Sequence, residues 1–175
     1  MSRRAFVVSR GLEYFTESEL QMQIGAGRNA WPAAILKELV DNALDASELA
    51  GATPEIDVTI TKEGFRVRDN GPGIPTPVIE QSLDYNVRVS DKLGYVTPTR
   101  GRLGNALMVV WAAPFVASGE SAIEVRTRGN LHRIRVGVDP LEQQPAIDLA
   151  TTNGLPADGT EIRLGWPDSA RACSH

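Results

Sequence analysis

The stretch from Trp31 to Ala50 constrains this chain more than any other. Apolar residues recur there at helical spacing, Pro32 stands in the first turn where a missing N–H costs nothing, and Gly51 and Pro54 stop the pattern just past its end. It predicts a long amphipathic helix, which has to lay its apolar arc on another layer. On a wheel of about 100° per residue, Leu36, Leu39, Val40, Ala43 and Ala46 share that arc, and Lys37, Asp41 and Glu48 lie opposite. Glu38, Asn42 and Asp45 form a stripe at its edge. A carboxylate beside a core is costly unless a partner or ligand satisfies it, so the stripe is a candidate site. Judged alone, the helix is better explained by ordinary boundary residues.

The layer it needs follows directly. Glu55 to Thr61 alternates with Ile56, Val58 and Ile60 on one face, Lys62-Glu63-Gly64 turns the chain, and Phe65, Val67 and Asp69 alternate in return, a predicted hairpin. Around this core the pattern predicts a short helix at Glu17 to Ile24, broken by Gly25-Ala26-Gly27, and another opened by Thr76-Pro77. Asn86 to Arg100 shows no period and reads as a loop; Gly101 to about Ala112 reads as a second apolar helix. Strands are expected at Ala122 to Thr127, His132 to Val138 and Glu161 to Leu164, with a weaker candidate near Ala146 to Leu149. The sum is an α+β two-layer sandwich, a mixed and mostly antiparallel sheet covered on one face by helices.

Composition narrows the function classes. A chain of 175 residues with 42% hydrophobic and 23% charged side chains is an ordinary globular domain. Its longest uncharged apolar stretch, Ala106 to Gly119, falls short of the roughly 20 residues that span a bilayer. Polar Ser9, Arg10 and Glu13 interrupt any signal-peptide region, so a cytoplasmic location is expected. The single Cys173 and the two histidines, His132 and His175, argue against disulfides and against a Cys-rich or multi-histidine metal site. A net charge of −4, from 18 basic and 22 acidic side chains, argues against direct DNA binding. Arg126, Arg128, Arg133 and Arg135 fall on an alternating pattern that reads as a solvated sheet face.

Asp69, carried by the alternation to the apolar face of its strand, needs donors there. It leads into Asn70-Gly71-Pro72-Gly73-Ile74-Pro75, where glycines permit positive φ or close approach of a ligand and Pro72 stiffens the turn. Neither the Gly-x-x-x-x-Gly-Lys loop nor a strand-borne Gly-x-Gly-x-x-Gly is present. Thr99-Arg100-Gly101-Arg102-Leu103-Gly104-Asn105 precedes the second apolar helix. Free N–H groups, the helix dipole and the arginines would favour a polyphosphate, and a loop that uses glycine to enter a buried helix explains the segment equally well.

Taken in order, Lys37-Glu38-Leu39-Val40-Asp41-Asn42-Ala43-Leu44-Asp45, Arg68-Asp69-Asn70-Gly71-Pro72-Gly73-Ile74, Arg100-Gly101-x-x-Gly104 and Gly159-Thr160-Glu161-Ile162 resemble the GHKL (Bergerat-fold) ATPase family. Within it the chain is most similar to the N-terminal domains of topoisomerase VI B subunits, through Glu13-Tyr14-Phe15, Pro54-Glu55-Ile56 and the Thr-Arg-Gly entry; MutL is second, through Gln23-Ile24-Gly25-Ala26-Gly27 and Pro32. The resemblance implies ATP and Mg²⁺ as ligands and assigns roles. Glu38 would deprotonate the attacking water, Asn42 would coordinate Mg²⁺, and Asp45 would support them. Asp69 would accept from the adenine amino group, backed by Thr160, with Gly71, Gly73 and Ile74 around the base. Gly101 and Gly104 would hold the phosphates, and Lys92 or Arg100 would add charge.

Asn105-Ala106 stands where the family usually has a further glycine, and the chain ends at His175, before the second domain that supplies a lysine to the γ-phosphate in such relatives. Slow hydrolysis is therefore expected. So is homodimerisation on nucleotide binding, or pairing with a topoisomerase A-type subunit or another DNA-acting partner, with no membrane involved. Residues 1–30 are expected to be an N-terminal extension or strap, 31–166 the ATP-binding domain and 167–175 a tail. The alternatives are a nucleotide switch with little hydrolysis, a MutL-like mismatch-repair ATPase, a phosphotransfer kinase domain, which Glu38 disfavours, and a plain interaction domain.

Overall fold

The computed structural model describes residues 11–85 and 98–166, the side chains of Gly11, Glu13 and residues 98–105 excepted. Helix α1 spans Glu17–Ile24: Thr16 caps it by accepting from the Glu19 N–H, and Gly25, at φ 74°, closes it with an N–H on the Gln21 carbonyl. Helix α2, Trp31–Leu49, buries Trp31, Ile35, Leu39, Ala43 and Ser47, a narrow i, i+4 stripe. Leu36, Val40 and Ala46, expected in the same arc, are half-buried at its margins. The Trp31 indole N–H donates to the Ala26 carbonyl at 3.0 Å, so the start of α2 is anchored by a side chain where no N-cap side chain bonds.

Strands β1 (Ile56–Ile60) and β2 (Gly64–Asp69) form the expected hairpin, and helix α3 (Thr76–Ser82) follows the glycine loop. After helix α4 (Pro98–Ser118) come β3 (Ile123–Thr127), β4 (Asn130–Asp139), β5 (Gln144–Asn153) and β6 (Thr160–Gly165). The sheet order is β1-β2-β6-β3-β4-β5 and each pairing is antiparallel, the limiting case of the mostly antiparallel sheet the sequence predicts. Phe65, Val67, Ile123, Val125, Ile162 and Leu164 meet Leu39, Ile79, Leu107 and Trp111 in one core, the helices lying on one face.

Two elements differ from expectation. Strand β5 is longer than Ala146 to Leu149, because the ladder to β4 pairs its polar end Thr151-Thr152-Asn153, which shows no apolar alternation. Helix α4 begins at Pro98 and runs to Ser118, so residues 98–100, read as loop, are helical, and Gly101 and Gly104 lie inside the helix. Its far end runs past Pro114 to Ser118, beyond the end near Ala112 that the sequence predicts. The fully buried Val110, Trp111, Ala112 and Ala113 hold the helix through that missing donor, and Gly119, at φ 80°, ends it with an N–H on the Phe115 carbonyl. The Trp111 indole donates to Ser82 and the Tyr85 hydroxyl to the Met108 carbonyl, both at 2.8 Å, locking α3 to α4. The rest of the expected loop, residues 86–97, lies outside the described residues. No helix among the described residues is long and apolar enough to cross a membrane.

Candidate functional site

Insertion of β6 between β2 and β3 creates the site. The ladder sets Asp69, Thr160 and Thr127 abreast, a polar row at the end of a face that is otherwise apolar. Helix α2 crosses above them, leaving a cavity of about 90 Å³ lined by Leu39, Asn42 and Ala46 from α2, by Asp69, Ile74 and Thr160 below, and by Leu107 from α4.

Asp69 accepts the Gly71 N–H at 2.8 Å. Burial pushes its carboxyl above the usual carboxylate range, while the backbone N–H groups of Gly71 and Thr160 pull it back. Two backbone donors leave a carboxylate with acceptor capacity to spare, since it has about four lone-pair sites. Asn42 contributes the opposite imbalance: its Nδ2 is buried with no partner, a donor lacking an acceptor.

The glycine loop is seated on the sheet at several points. Thr127 Oγ1 accepts the Ile74 N–H at 2.7 Å, Arg128 Nε donates to the Pro72 carbonyl at 3.2 Å, and Asn70 binds the backbone of Glu55 and Thr53, both at 3.0 Å. Gly73, at φ 79°, has no room for a side chain, because a Cβ would lie 2.8 Å from Thr127 Oγ1. At Gly71 a Cβ would lie 2.9 Å from Asp69 Oδ1 and 3.4 Å from the Ala46 Cβ.

Of the residues singled out in the sequence, Asn42, Asp69, Gly73, Ile74 and Thr160 line this cavity together, and Gly71 adjoins it through Asp69. Glu38 does not. It is half-buried and faces a second cavity of about 240 Å³, between α1, α2 and α4, with Gln23, Ile35, Ala106 and Val109. Asp45 is exposed and lines neither cavity; on the wheel it is the member of the stripe farthest from the buried line through Leu39. Gly101 falls in the first turn of α4 and Gly104 in the second, where N–H groups bond back into the helix. Lys92 lies outside the described residues, and of Arg100 only the helical backbone is described. No cluster of three or more His, Cys, Asp or Glu that would hold a metal ion by itself exists among the described residues.

Thr127 escapes the sequence reading. Its strand is expected there, and the alternation Ile123, Val125, Thr127 turns it to the core face, but only the register with β6 and the loop contact show what it holds. Replacing Thr127 by Val leaves the Ile74 N–H without its acceptor and is expected to cost about 1–3 kcal/mol, read as a lowered urea midpoint at unchanged slope.

A profile of the histidine kinase-, DNA gyrase B-, and HSP90-like ATPases matches residues 27–169. The B subunit of the type 2 DNA topoisomerase 6 of Natronomonas pharaonis is 30% identical over 173 residues, covering 91% of this chain and 21% of that protein. The DNA mismatch repair protein MutL of Shewanella pealeana is 49% identical over 69 residues, covering 37% of this chain and 10% of that protein. The chain thus spans about a fifth of the length of the topoisomerase relatives it matches. Among solved structures, the ATPase region of Saccharomyces cerevisiae topoisomerase II aligns at 19% identity with a TM-score of 0.49, over 81% of this chain and 39% of that one.

Proposed function

The chain belongs to the histidine kinase-, DNA gyrase B-, and HSP90-like ATPase family, and from that premise we propose that its site binds the adenine of ATP between α2 and the sheet. The observation that carries this reading is Asp69: a desolvated carboxylate on the floor of an apolar cavity is explained by a ligand that brings a donor, and an adenine amino group is one. Thr160 backs the contact and Ile74 packs on the ring. The backbone at Gly71 and Gly73 lets the nucleotide lie close.

The phosphates extend along α2 from Asn42 towards Glu38, one turn or about 6 Å up the axis. The unpartnered Asn42 amide supports this direction: its Nδ2 suits a phosphate oxygen and its carbonyl is a hard oxygen donor of the kind Mg²⁺ takes. Asn42 would hold Mg²⁺ through that carbonyl, and the ion would supply charge neutralisation at the phosphates. Glu38 accepts the proton of the attacking water as its oxygen bonds to the γ-phosphorus and the bond to the β–γ bridging oxygen breaks. Asp45, Gly101, Gly104, Lys92 and Arg100 serve this site from its rim. Residues 31–166 form the ATP-binding unit, 1–30 a strap and 167–175 a tail. On this reading the chain couples nucleotide binding to closure or dimerisation within a DNA-acting assembly, with an A-type topoisomerase subunit as one partner. A second reading, a nucleotide switch with little turnover, is favoured by one observation: Glu38 faces a different cavity from Asp69.

Calorimetry with ATP and ADP, with and without Mg²⁺, tests the proposal, and Asp69→Asn is expected to bind ATP at least tenfold more weakly, about 1.4 kcal/mol, because the amide presents a donor to a donor. Equal affinity in the variant rejects the site. The same substitution carries a stability signature of opposite sign. Burial raises the folded-state pKa of Asp69 above its unfolded value of 3.8, so its ionisation opposes folding, and this burden grows as pH rises through the folded-state pKa. Relative to the parent, Asp69→Asn is therefore expected to gain stability between pH 4 and neutrality, read from urea midpoints across that range; a variant that loses stability as pH rises would mean that the carboxylate is satisfied without a ligand.

A further inference from the structure

The face of the sheet turned away from the helices carries a charge pattern the nucleotide site does not use. Register sets its side chains in two transverse rows: Arg68, Glu161 and Arg126 stand abreast in one, and Arg66, Arg163, Glu124 and Arg133 in the next. Five guanidinium groups thus share three carboxylates, Glu161, Glu124 and, opposite Arg68 on the edge strand, Asp57. Glu161, only 12% exposed, takes Arg163 at 2.8 Å, Arg126 at 3.8 Å and Arg66 at 3.9 Å, while Glu124 takes Arg133 at 3.2 Å.

Further pairing does not remove the excess. Asp57 meets Arg66 at 2.8 Å from the edge strand, yet Arg66 and Arg163 stand directly opposite each other on β2 and β6, where like charges destabilise a sheet. Arg66 Nε is buried without a partner, and exposed Arg68 makes no ion pair among the described residues. Such crowding within a chain of net charge −4 means that the two faces differ in sign: α2 carries Glu38, Asp41, Asp45 and Glu48 against one lysine.

We propose that this open face binds the sugar-phosphate backbone of a nucleic-acid duplex. Guanidinium forks match phosphate oxygens two at a time, and every cation in these rows is arginine. A protein partner would need apolar or aromatic anchors to desolvate, and an unpaired strand would need aromatic rings for its bases to stack on. Neither row holds an aromatic side chain, and apolar Leu131, opposite Arg126, is buried and so offers no anchor. What remains suits a phosphate ladder read without reference to base sequence.

Fluorescence anisotropy of a short labelled DNA duplex, titrated with the full chain at increasing salt, tests this. Binding is expected to weaken along a straight log–log line, and the triple variant Arg68→Gln, Arg126→Gln, Arg163→Gln to bind about tenfold or more weakly, with the slope shallower by about 0.9 for each phosphate no longer neutralised. Lys37→Gln, on the helical layer, should match the parent. Arg68→Glu, at an exposed residue outside any ion pair, keeps the test valid if the triple variant unfolds, and should weaken binding on its own. A duplex that fails to bind at low salt overturns the proposal. So does a folded triple variant, or Arg68→Glu, that binds as the parent does, or a polyglutamate peptide that binds this face in preference to the duplex. ATP calorimetry on the same variants should be unchanged, since these arginines lie across the sheet from the cavity.

Discussion

Glu38→Ala is expected to retain ATP binding and to lose turnover by about 10²- to 10⁴-fold, the contribution of a positioned general base to the chemical step. The separation of the two effects follows from geometry. In the proposed site adenine recognition rests on Asp69 and Thr160 at the sheet, whereas Glu38 lies one helical turn from Asn42 and faces the neighbouring cavity. Removing a group that acts in the transition state lowers the rate constant and leaves ground-state affinity nearly intact. Single-turnover hydrolysis with enzyme in excess makes the comparison even if the parent is slow, and Glu38→Gln, which keeps the shape and removes the base, should behave like the alanine. Equal single-turnover rates in parent and both variants would sink the base role and leave the switch reading standing.

The second large effect is on the fold. Gly159 precedes β6 at φ 65°, and a Cβ there would lie 1.8 Å from the carbonyl oxygen of Asp69 and 2.8 Å from its carbonyl carbon. Backbone cannot yield locally, because Thr160, the next residue, is paired with Asp69 in the ladder. Gly159→Ala is therefore expected to push β6 off the end of β2, costing about 3–5 kcal/mol, at the upper end of single substitutions, and to abolish ATP binding as Asp69 and Thr160 separate. Gly154, at φ 92° with nothing within 4 Å, is the control, since alanine there meets only the conformational strain of about 1–2 kcal/mol. Urea unfolding of both variants measures the difference, and a Gly159→Ala no less stable than Gly154→Ala would show that the close approach is absent in solution.

Side-chain periodicity and turn chemistry, which are properties of neighbouring residues, determine much of this protein before any tertiary contact forms. They suffice for α1 with its Gly25 end, for α2, for the hairpin, and for the turning of Asp69 to the apolar face, because each follows from a repeat of 3.6 or 2 residues and a breaker. The motif order from Glu38 to Thr160 is likewise in the chain itself, and so is the family. The tertiary structure alone decides that β6 enters between β2 and β3, since no local pattern ranks pairings between strands so distant in sequence. That one choice brings Thr160 and Thr127 beside Asp69 on the inner face and gathers Arg66, Arg126 and Arg163 around Glu161 on the outer one. A net charge of −4 sums over both faces and so conceals the second. The course of α4 is decided in the same way: burial of Val110 to Ala113 outweighs the local cost of Pro114, and Glu38 is left facing a cavity apart from Asp69, because packing free energy is collected across the whole core while helix propensity is set residue by residue.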